Sequence, residues 1–460
     1  MSGPVPVTDH HVEIVPLIDE GLGNSSYLVP LSDGRALVVD PRRDPTPYLE
    51  LGKRLDVRIA FAVETHLHAD FISGSRELAA FGSAILAPRA SHLASSYLGL
   101  EGGDEVDLGG LTLRALATPG HTPEHLAYLL LDGPKPLALF SGGAVLPGGA
   151  ARPDLIAPEK TEPLAHDLYR SAHRRLRDLP DDLPVYPTHG AGSFCSAGAG
   201  GQRATSLGRE RHQNLLFTAA GEDTFVRNFL DGLGTYPPYF LRLRTVNQRG
   251  ARLYGVIRPG LTPLSVDAFR LQQVGGATVI DVRPFADFAR GHVGGALSIT
   301  LRPAFASWLG WIVPAGRPLV FVRAPDQDPR DLVEQCLKIG YENLVGELQD
   351  GMDAWRAAGL PESVVALLEV TDDLYGLPVD VRQTSEWVGG HIPGAHHVEL
   401  GSVVVSADRI PHGPLTVYCG HGERAMTAAS LLKAQGRENL AVLDGGFDAW
   451  RAARQPMSIG

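Results

Sequence analysis

Four histidines and one aspartate carry the first chemical signal in this chain. In ETHLHADFISG, residues 64–74, His66, His68 and Asp70 stand at alternate positions just past an apolar run, IAFAVET. His121 follows a second such run, LTLRALATPG, and His189 follows a third, LPVYPT. Strand ends converge on one rim of a fold, so ligands far apart in sequence can surround one ion. Imidazole nitrogens and a carboxylate suit zinc or iron, and either ion supplies Lewis-acid chemistry.

A thiol carries the second signal. In LTVYCGHGERAMTAASLL, Cys419 closes a buried-strand pattern, and a helix-period segment begins within the next few residues. The loop between them is Cys419, Gly420, His421, Gly422, Glu423, Arg424. Its two glycines let successive backbone N–H groups turn inward as an anion-binding nest. The following helix adds its positive N-terminal end, and Arg424 and His421 add charge at the rim. All of this favours thiolate over thiol and equally a terminal persulfide, Cys–S–S⁻. Covalent catalysis by an activated thiolate is the matching mechanism. Cys195 lies six residues after His189 in a Gly/Ser-rich loop, HGAGSFCSAGAGG, and is a relay candidate; Cys336 falls within a helix pattern and reads as core.

The elements that position these groups fall into two kinds. From residue 264 onward the chain repeats itself. VIDVRPFADFARGHVGGALSI from Val279 matches VDVRQTSEWVGGHIPGAHHV from Val379, which brings His292 into register with His391. PLVFVRAPDQDPRDLVEQCLKIG from Pro318 aligns without gaps to PLTVYCGHGERAMTAASLLKAQG from Pro414, and the copies end alike at Trp355 and Trp450. Each stretch is strand, loop, helix, which predicts two α/β domains with parallel sheets over 264–360 and 366–460. The alignment sets Arg323 opposite Cys419, in a loop, RAPDQDP, that has two prolines and no glycine. The first copy therefore reads as inactive. Residues 1–250 instead hold many short strand-like runs with helical stretches between them, such as SRELAAFG and the Arg-rich span from Leu164 to Leu179. That pattern predicts packed sheets covered by helices, with 198–260 as an extension leading into a linker.

ETHLHADFISG, TPGHTPEHLAYLL and PTHGAG together resemble the metallo-β-lactamase superfamily, and most of all its persulfide dioxygenase and glyoxalase II branch. Asp380-Val-Arg, GHIPGA around His391 and the six-residue Cys419 loop resemble a rhodanese domain. The resemblance implies an α/β multidomain chain: an αβ/βα metallo-β-lactamase sandwich, then two rhodanese-like domains, the first without its cysteine. It also implies sulfane-sulfur transfer at Cys419 and one iron or zinc ion. Two positions depart from the family. Phe71 stands where it has another histidine ligand, and Gly143, in FSGGAVLPGGAARPDL, stands where it has an aspartate. An iron site of two histidines and one carboxylate thereby loses its carboxylate. What remains is His66, His68 and His121, able to hold one ion, with Asp70 and His189 behind them or at a second site. Asp154 is a candidate to reach back to the ion.

Composition narrows the function classes. Across 460 residues the net charge is −11, which argues against nucleic acid as a partner. No apolar run is long enough to span a bilayer. MSGPVPVTDHHVEIVPL has no basic stretch ahead of an apolar core, so no export signal is expected, and three scattered cysteines fit a reducing cytoplasm. The implied partners are small: a thiol persulfide, thiosulfate or sulfite, with assembly as a homo-oligomer left open. Two other readings stand beside sulfur transfer. One is a zinc-dependent thioester hydrolase of glyoxalase II type; the other is a non-catalytic persulfide carrier or sensor.

Overall fold

Alternation along the strands decides the architecture of the first unit. In Asn24–Pro30, Tyr27 and Val29 point into one core while Leu28 points into another. In Leu126–Asp132, Leu126, Tyr128 and Leu130 join the first of those cores and Ala127, Leu129 and Leu131 a third. Period-2 sequences of this kind bury both faces of a sheet. The computed structural model describes residues 12–197 and 201–459; the start of the leader reading, at residues 1–11, and the glycines of GAGGQR at 198 and 200 lie outside them.

Two six-stranded sheets result. One runs in the order Val15–Asp19, Asn24–Pro30, Arg35–Val39, Arg58–Val63, Ala84–Pro88, Leu98–Leu100, antiparallel at first and parallel from Arg35 on. The other sets Thr205–Ser206, Pro184–Pro187, Lys135–Gly142, Leu126–Asp132, Thr112–Ala117 and Glu105–Asp107 side by side. Only Lys135–Gly142 and Pro184–Pro187 pair in parallel there. The inner core, with Tyr27, Leu37, Val63, Tyr128 and Phe140, lies between the sheets. The helix Thr46–Arg54 covers the outer face of the first sheet and Pro158–Arg175 that of the second. This is the αβ/βα sandwich expected.

The extension expected over 198–260 is largely helical. Leu207–Gln213, Leu215–Thr218, Glu222–Asp231 and Phe240–Arg249 are helices of the first unit. Leu207, Leu216, Phe225, Val226 and Phe229 bury into the outer core of the second sheet. Apolar periodicity outweighed the Gly and Pro residues: Gly221, Gly232 and Gly250 stand at helix ends, and Gly208 lies within a helix.

The chain divides into two compact units, one ending at Arg258 and taking in Lys338–Gly340, the other made of Pro259–Leu337 and Tyr341–Gly460. The second unit holds the repeat as two five-stranded parallel sheets. Their orders correspond strand for strand: Pro263–Leu264, Leu344–Leu348, Leu319–Val322, Thr278–Asp281, Leu297–Ser298, and Ala366–Leu368, Leu440–Leu443, Leu415–Tyr418, Leu377–Asp380, His396–His397. The repeated residues do the same work in each. Arg283 forks onto Asp281 and caps Gly291 O, as Arg382 forks onto Asp380 and caps Gly390 O. Trp355 and Trp450 donate to Pro361 O and Pro456 O at the two ends. Among the described residues no helix is long and apolar enough to cross a membrane.

Candidate functional site

Parallel strands place their C-terminal ends at one rim, and the first unit collects its imidazoles there. Arg58–Val63 runs out into His66, His68 and Asp70, Thr112–Ala117 into His121 and His125, and Pro184–Pro187 into His189. All six are buried. Which ring nitrogen is bare follows from the partner of the other. Thr65 Oγ1 donates to the Asp40 carboxylate, so it accepts from His66 Nδ1 at 2.8 Å. His121 Nδ1 donates to Arg152 O at 2.7 Å. His189 Nδ1 faces Asn24 Oδ1 at 3.1 Å and Asp70 Oδ2 at 3.3 Å, and both are acceptors. Three Nε2 atoms are therefore left with lone pairs, and ligand atoms of His66, His121 and His189 lie within 4.8 Å of one another. Two of them, on His66 and His189, face each other at 3.3 Å. Bare nitrogens at that distance ask for a shared proton or a cation.

His68 takes a different part. Its Nε2 donates to Glu64 at 3.0 Å and Asp40 at 3.2 Å, while its Nδ1 is buried without a hydrogen-bond partner. Burial opposes charge on this ring, but the two carboxylates outweigh it and lift its pKa to about 10. Burial likewise pushes the Asp40 carboxyl up, and the charge of His68 with hydrogen bonds from Thr188 and Thr65 holds it below the usual range. A metal at Nδ1 would take the place of a proton there, with Asp40 and Glu64 behind the ring as orienting carboxylates. Asp70 Oδ1 and His121 Nε2 are further buried atoms without partners. The residues present thus fit one ion. The sequence reading set His189 behind the ligands or at a second site; the structure groups its ligand atom with those of His66 and His121. Asp154 does not reach it, being held by Arg152 at 2.7 and 2.8 Å.

Both departures from the family pattern have a steric content. Phe71 is buried and stacks on His68, ring centroids 4.3 Å apart. A Cβ at Gly143 would lie 2.7 Å from His121 Cδ2 and 2.8 Å from Ala151 Cβ, so His121 and Ala151 fill the place of a side chain. We expect Gly143→Asp to lower unfolding stability by roughly 1–3 kcal/mol through overpacking, read as an earlier urea midpoint; an unchanged midpoint would mean that the His121 ring gives way freely. His125, which the sequence reading passed over, is the second histidine of TPGHTPEH. It accepts from Gly143 N at 2.9 Å through Nε2 and bonds Thr118 Oγ1 through Nδ1 at 2.8 Å, so neither nitrogen is available to an ion. Burial lowers its pKa to about 4. A groove of about 350 Å³, lined by Arg89, His92, Pro119, Glu124 and His125 among others, opens beside the cluster. Cys195 is fully buried beside Asp70, and burial, then that carboxylate's charge, push its thiol up, the opposite of what a thiolate relay needs.

In the second unit, Leu415–Tyr418 delivers Cys419 to the start of the helix Glu423–Ala434. Gly422 adopts φ +122°, a value side chains rarely take, and its N–H donates to Cys419 Sγ at 3.1 Å. The loop is tied from the other side by Phe447 N on Cys419 O and Asp448 N on Gly420 O. Arg424 presents both terminal nitrogens to Glu386, at 2.6 and 2.8 Å. His421 points outward, 72% exposed, with Nδ1 3.4 Å from Asp448. In the first copy, Arg323 forks onto Glu347 at 2.5 and 3.1 Å and donates to the carbonyls of Ala324 and Gln327, closing the loop on itself. Cys336 is buried within the helix Pro329–Leu337.

Residues 267–358 and 361–453 each match the rhodanese-like domain family. Over 168 residues the chain is 34% identical to the persulfide dioxygenase of Homo sapiens, covering 36% of this chain and 63% of that protein. Over 156 residues it is 34% identical to a hydroxyacylglutathione hydrolase of Pseudomonas entomophila, covering 34% and 57%. The chain thus spans less than two thirds of the length of either relative. A metallo-beta-lactamase from Staphylococcus aureus superposes with a TM-score of 0.66 at 26% identity, over 74% of this chain and 99% of that one.

Proposed function

We propose, from the premise that this chain is a metallo-β-lactamase-fold domain followed by two rhodanese-like domains, that it is a sulfur-handling enzyme with its transfer centre at Cys419. The observation that carries this reading is the cradle around that sulfur: a backbone N–H on Sγ, a helix beginning at Glu423, and the half-buried guanidinium of Arg424. The Cys419 thiolate attacks the sulfane sulfur of thiosulfate or a persulfide. The donor's S–S bond breaks, sulfite or a thiolate departs with the electron pair, and Cys419–S–S⁻ remains. A nucleophilic acceptor then takes the outer sulfur and restores the thiolate. Gly422 N–H and the helix end hold the negative charge in both forms, while Gly420 and Glu423 shape the loop and His421 stands at its rim.

The N-terminal domain, in the same reading, binds and processes a small thiol persulfide beside a single ion held by His66, His121 and His189, with His68 Nδ1 as a further donor. Bound iron or zinc would supply Lewis-acid activation there. The residues of the chain fix the tautomers, exclude bulk water and, through Asp40 and Glu64, hold the proton on His68 Nε2. A second reading, a zinc hydrolase acting on a thioester, is favoured by one observation: one of the donor groups, His66, His121 and His189, is made of three imidazoles, a set that leaves a position for water. The test of the first reading is to treat the protein with thiosulfate, trap with an alkylating agent and map the product by mass spectrometry. A single added sulfur on Cys419, lost on addition of cyanide as thiocyanate forms, is expected; no added sulfur, or sulfur on Cys195 or Cys336 instead, would sink it.

A further inference from the structure

We propose that Glu386 sets the donor selectivity of Cys419, favouring an organic persulfide of low charge over dianionic thiosulfate. The inference rests on the sulfur-transfer reading and names its substrate class. Arg424 is the cation of the Cys419 loop, and both of its terminal nitrogens are engaged by one carboxylate, that of Glu386. A guanidinium forked in this way has its anion-recognition face occupied. The neighbouring buried guanidinium is matched too: Arg382 is held by Asp380 at 2.6 Å, while Asp448 lies 3.4 Å from both the exposed His421 and the exposed Arg451. The loop itself balances Glu423 against Arg424. The nest is suited to the single charge on sulfur, and the guanidinium forks of Arg424 and Arg382 are both already taken by carboxylates rather than open to a second or third anionic oxygen.

The surfaces beside the loop point the same way. A Cβ on Gly422 would come within 2.6 Å of Phe285 Cζ, so that ring lies directly over the loop. Trp308 stands with its ring centroid 6.0 Å from Arg424 Cζ. Both belong to the repeat copy that lacks the cysteine, which thereby supplies aromatic surface beside the thiol of the other. Aromatic walls and a neutralised guanidinium suit an organic group on the donor. In the donor step, the Cys419 thiolate bonds to the outer sulfur of R–S–SH, the S–S bond breaks, and RS⁻ leaves with the electron pair and takes up a proton. With thiosulfate the departing sulfite keeps two negative charges, and the only guanidinium in the loop is already engaged.

Glu386→Gln tests this without dismantling the element that carries it. Glu386 is the N3 residue of the capping box that starts Thr384–Val388, and glutamine serves equally in that position. The full-length protein and the variant are assayed with cyanide as acceptor and either thiosulfate or glutathione persulfide as donor. The KM for thiosulfate is expected to fall about five- to tenfold, the effect of freeing one guanidinium, with its kcat and both constants for the persulfide within twofold. Equal changes with both donors, or none, would overturn the proposal and leave Glu386 as a loop support. If the variant folds poorly, Glu386→Asp provides the second reading: it keeps the charge and must keep the wild-type ratio of the two donors. Absence of thiocyanate from either donor with the unmodified protein is a separate outcome, which sinks the sulfur-transfer reading itself.

Discussion

Cys419→Ser is expected to lower sulfur transfer from thiosulfate or a persulfide to cyanide by on the order of 10³ or more. A serine hydroxyl is close to isosteric, so the 1% exposed site keeps its packing and the loop its ties to Phe447 and Asp448. What disappears is chemical. The hydroxyl is not ionised at neutral pH and cannot carry a sulfane sulfur, so the Gly422 N–H and the helix end have no charge to hold. Thiocyanate formation, followed at several donor concentrations, should show the loss in kcat rather than in KM. Metal content should stay unchanged, because Cys419 lies in a different unit from the histidine cluster. The competing readings give other patterns. A thioester hydrolase would keep its hydrolytic rate in the variant. A carrier would show stable persulfidation of the unmodified protein without turnover. Transfer in the variant within about tenfold of wild type would remove Cys419 from the mechanism, since loss of a covalent nucleophile costs far more.

What could be read in the sequence was whatever depends on order and period. The strand runs ending at His66, His121 and His189, the doubled Asp-Val-Arg signal and the glycine spacing of the Cys419 loop are local patterns, and each maps to one element. What could not be read depends on orientation. His68 and His189 are both histidines past a strand end, but Glu64 and Asp40 hold the Nε2 of one ring and leave its Nδ1 bare, while Asn24 and Asp70 hold the Nδ1 of the other and leave its Nε2 bare. No spacing rule carries that information, because Asn24 is 165 residues from the ring it orients. Glu386 escaped for the same reason, standing 38 residues before the arginine it binds. His125 did leave a signal, a second histidine four places after His121 in TPGHTPEH, but its role is decided by the Gly143 N–H. The helices of 207–249 were obscured by Gly and Pro residues at their ends, where punctuation and periodicity compete.

The tautomers lead to the second large prediction. Protein purified without added metal is expected to hold close to one ion per chain, and His121→Ala to lower the affinity by more than about 100-fold, the upper range for losing even an orienting group of a metal site. His125→Ala should leave the ion in place. The two residues are four positions apart, both fully buried and both against His66, with ring centroids at 4.7 and 5.1 Å. Burial and proximity therefore predict the same effect for both, and only the hydrogen bonds separate them. His121 Nε2 has no partner, whereas His125 Nε2 is taken by Gly143 N–H. Elemental mass spectrometry on the two variants decides the matter. Thermal unfolding with and without a chelator gives an independent readout, since an ion bound only by the folded chain raises the midpoint. Loss of the ion in both variants alike would overturn the tautomer assignment and bring His125 into the ligand set. Retention in both would place the ion on His66, His68 and His189, with Asp70 Oδ1 as the carboxylate that Gly143 cannot supply. The element found then bears on the chemistry: iron favours oxidation of the persulfide in the first unit ahead of transfer at Cys419, and zinc favours hydrolysis by the three-imidazole set.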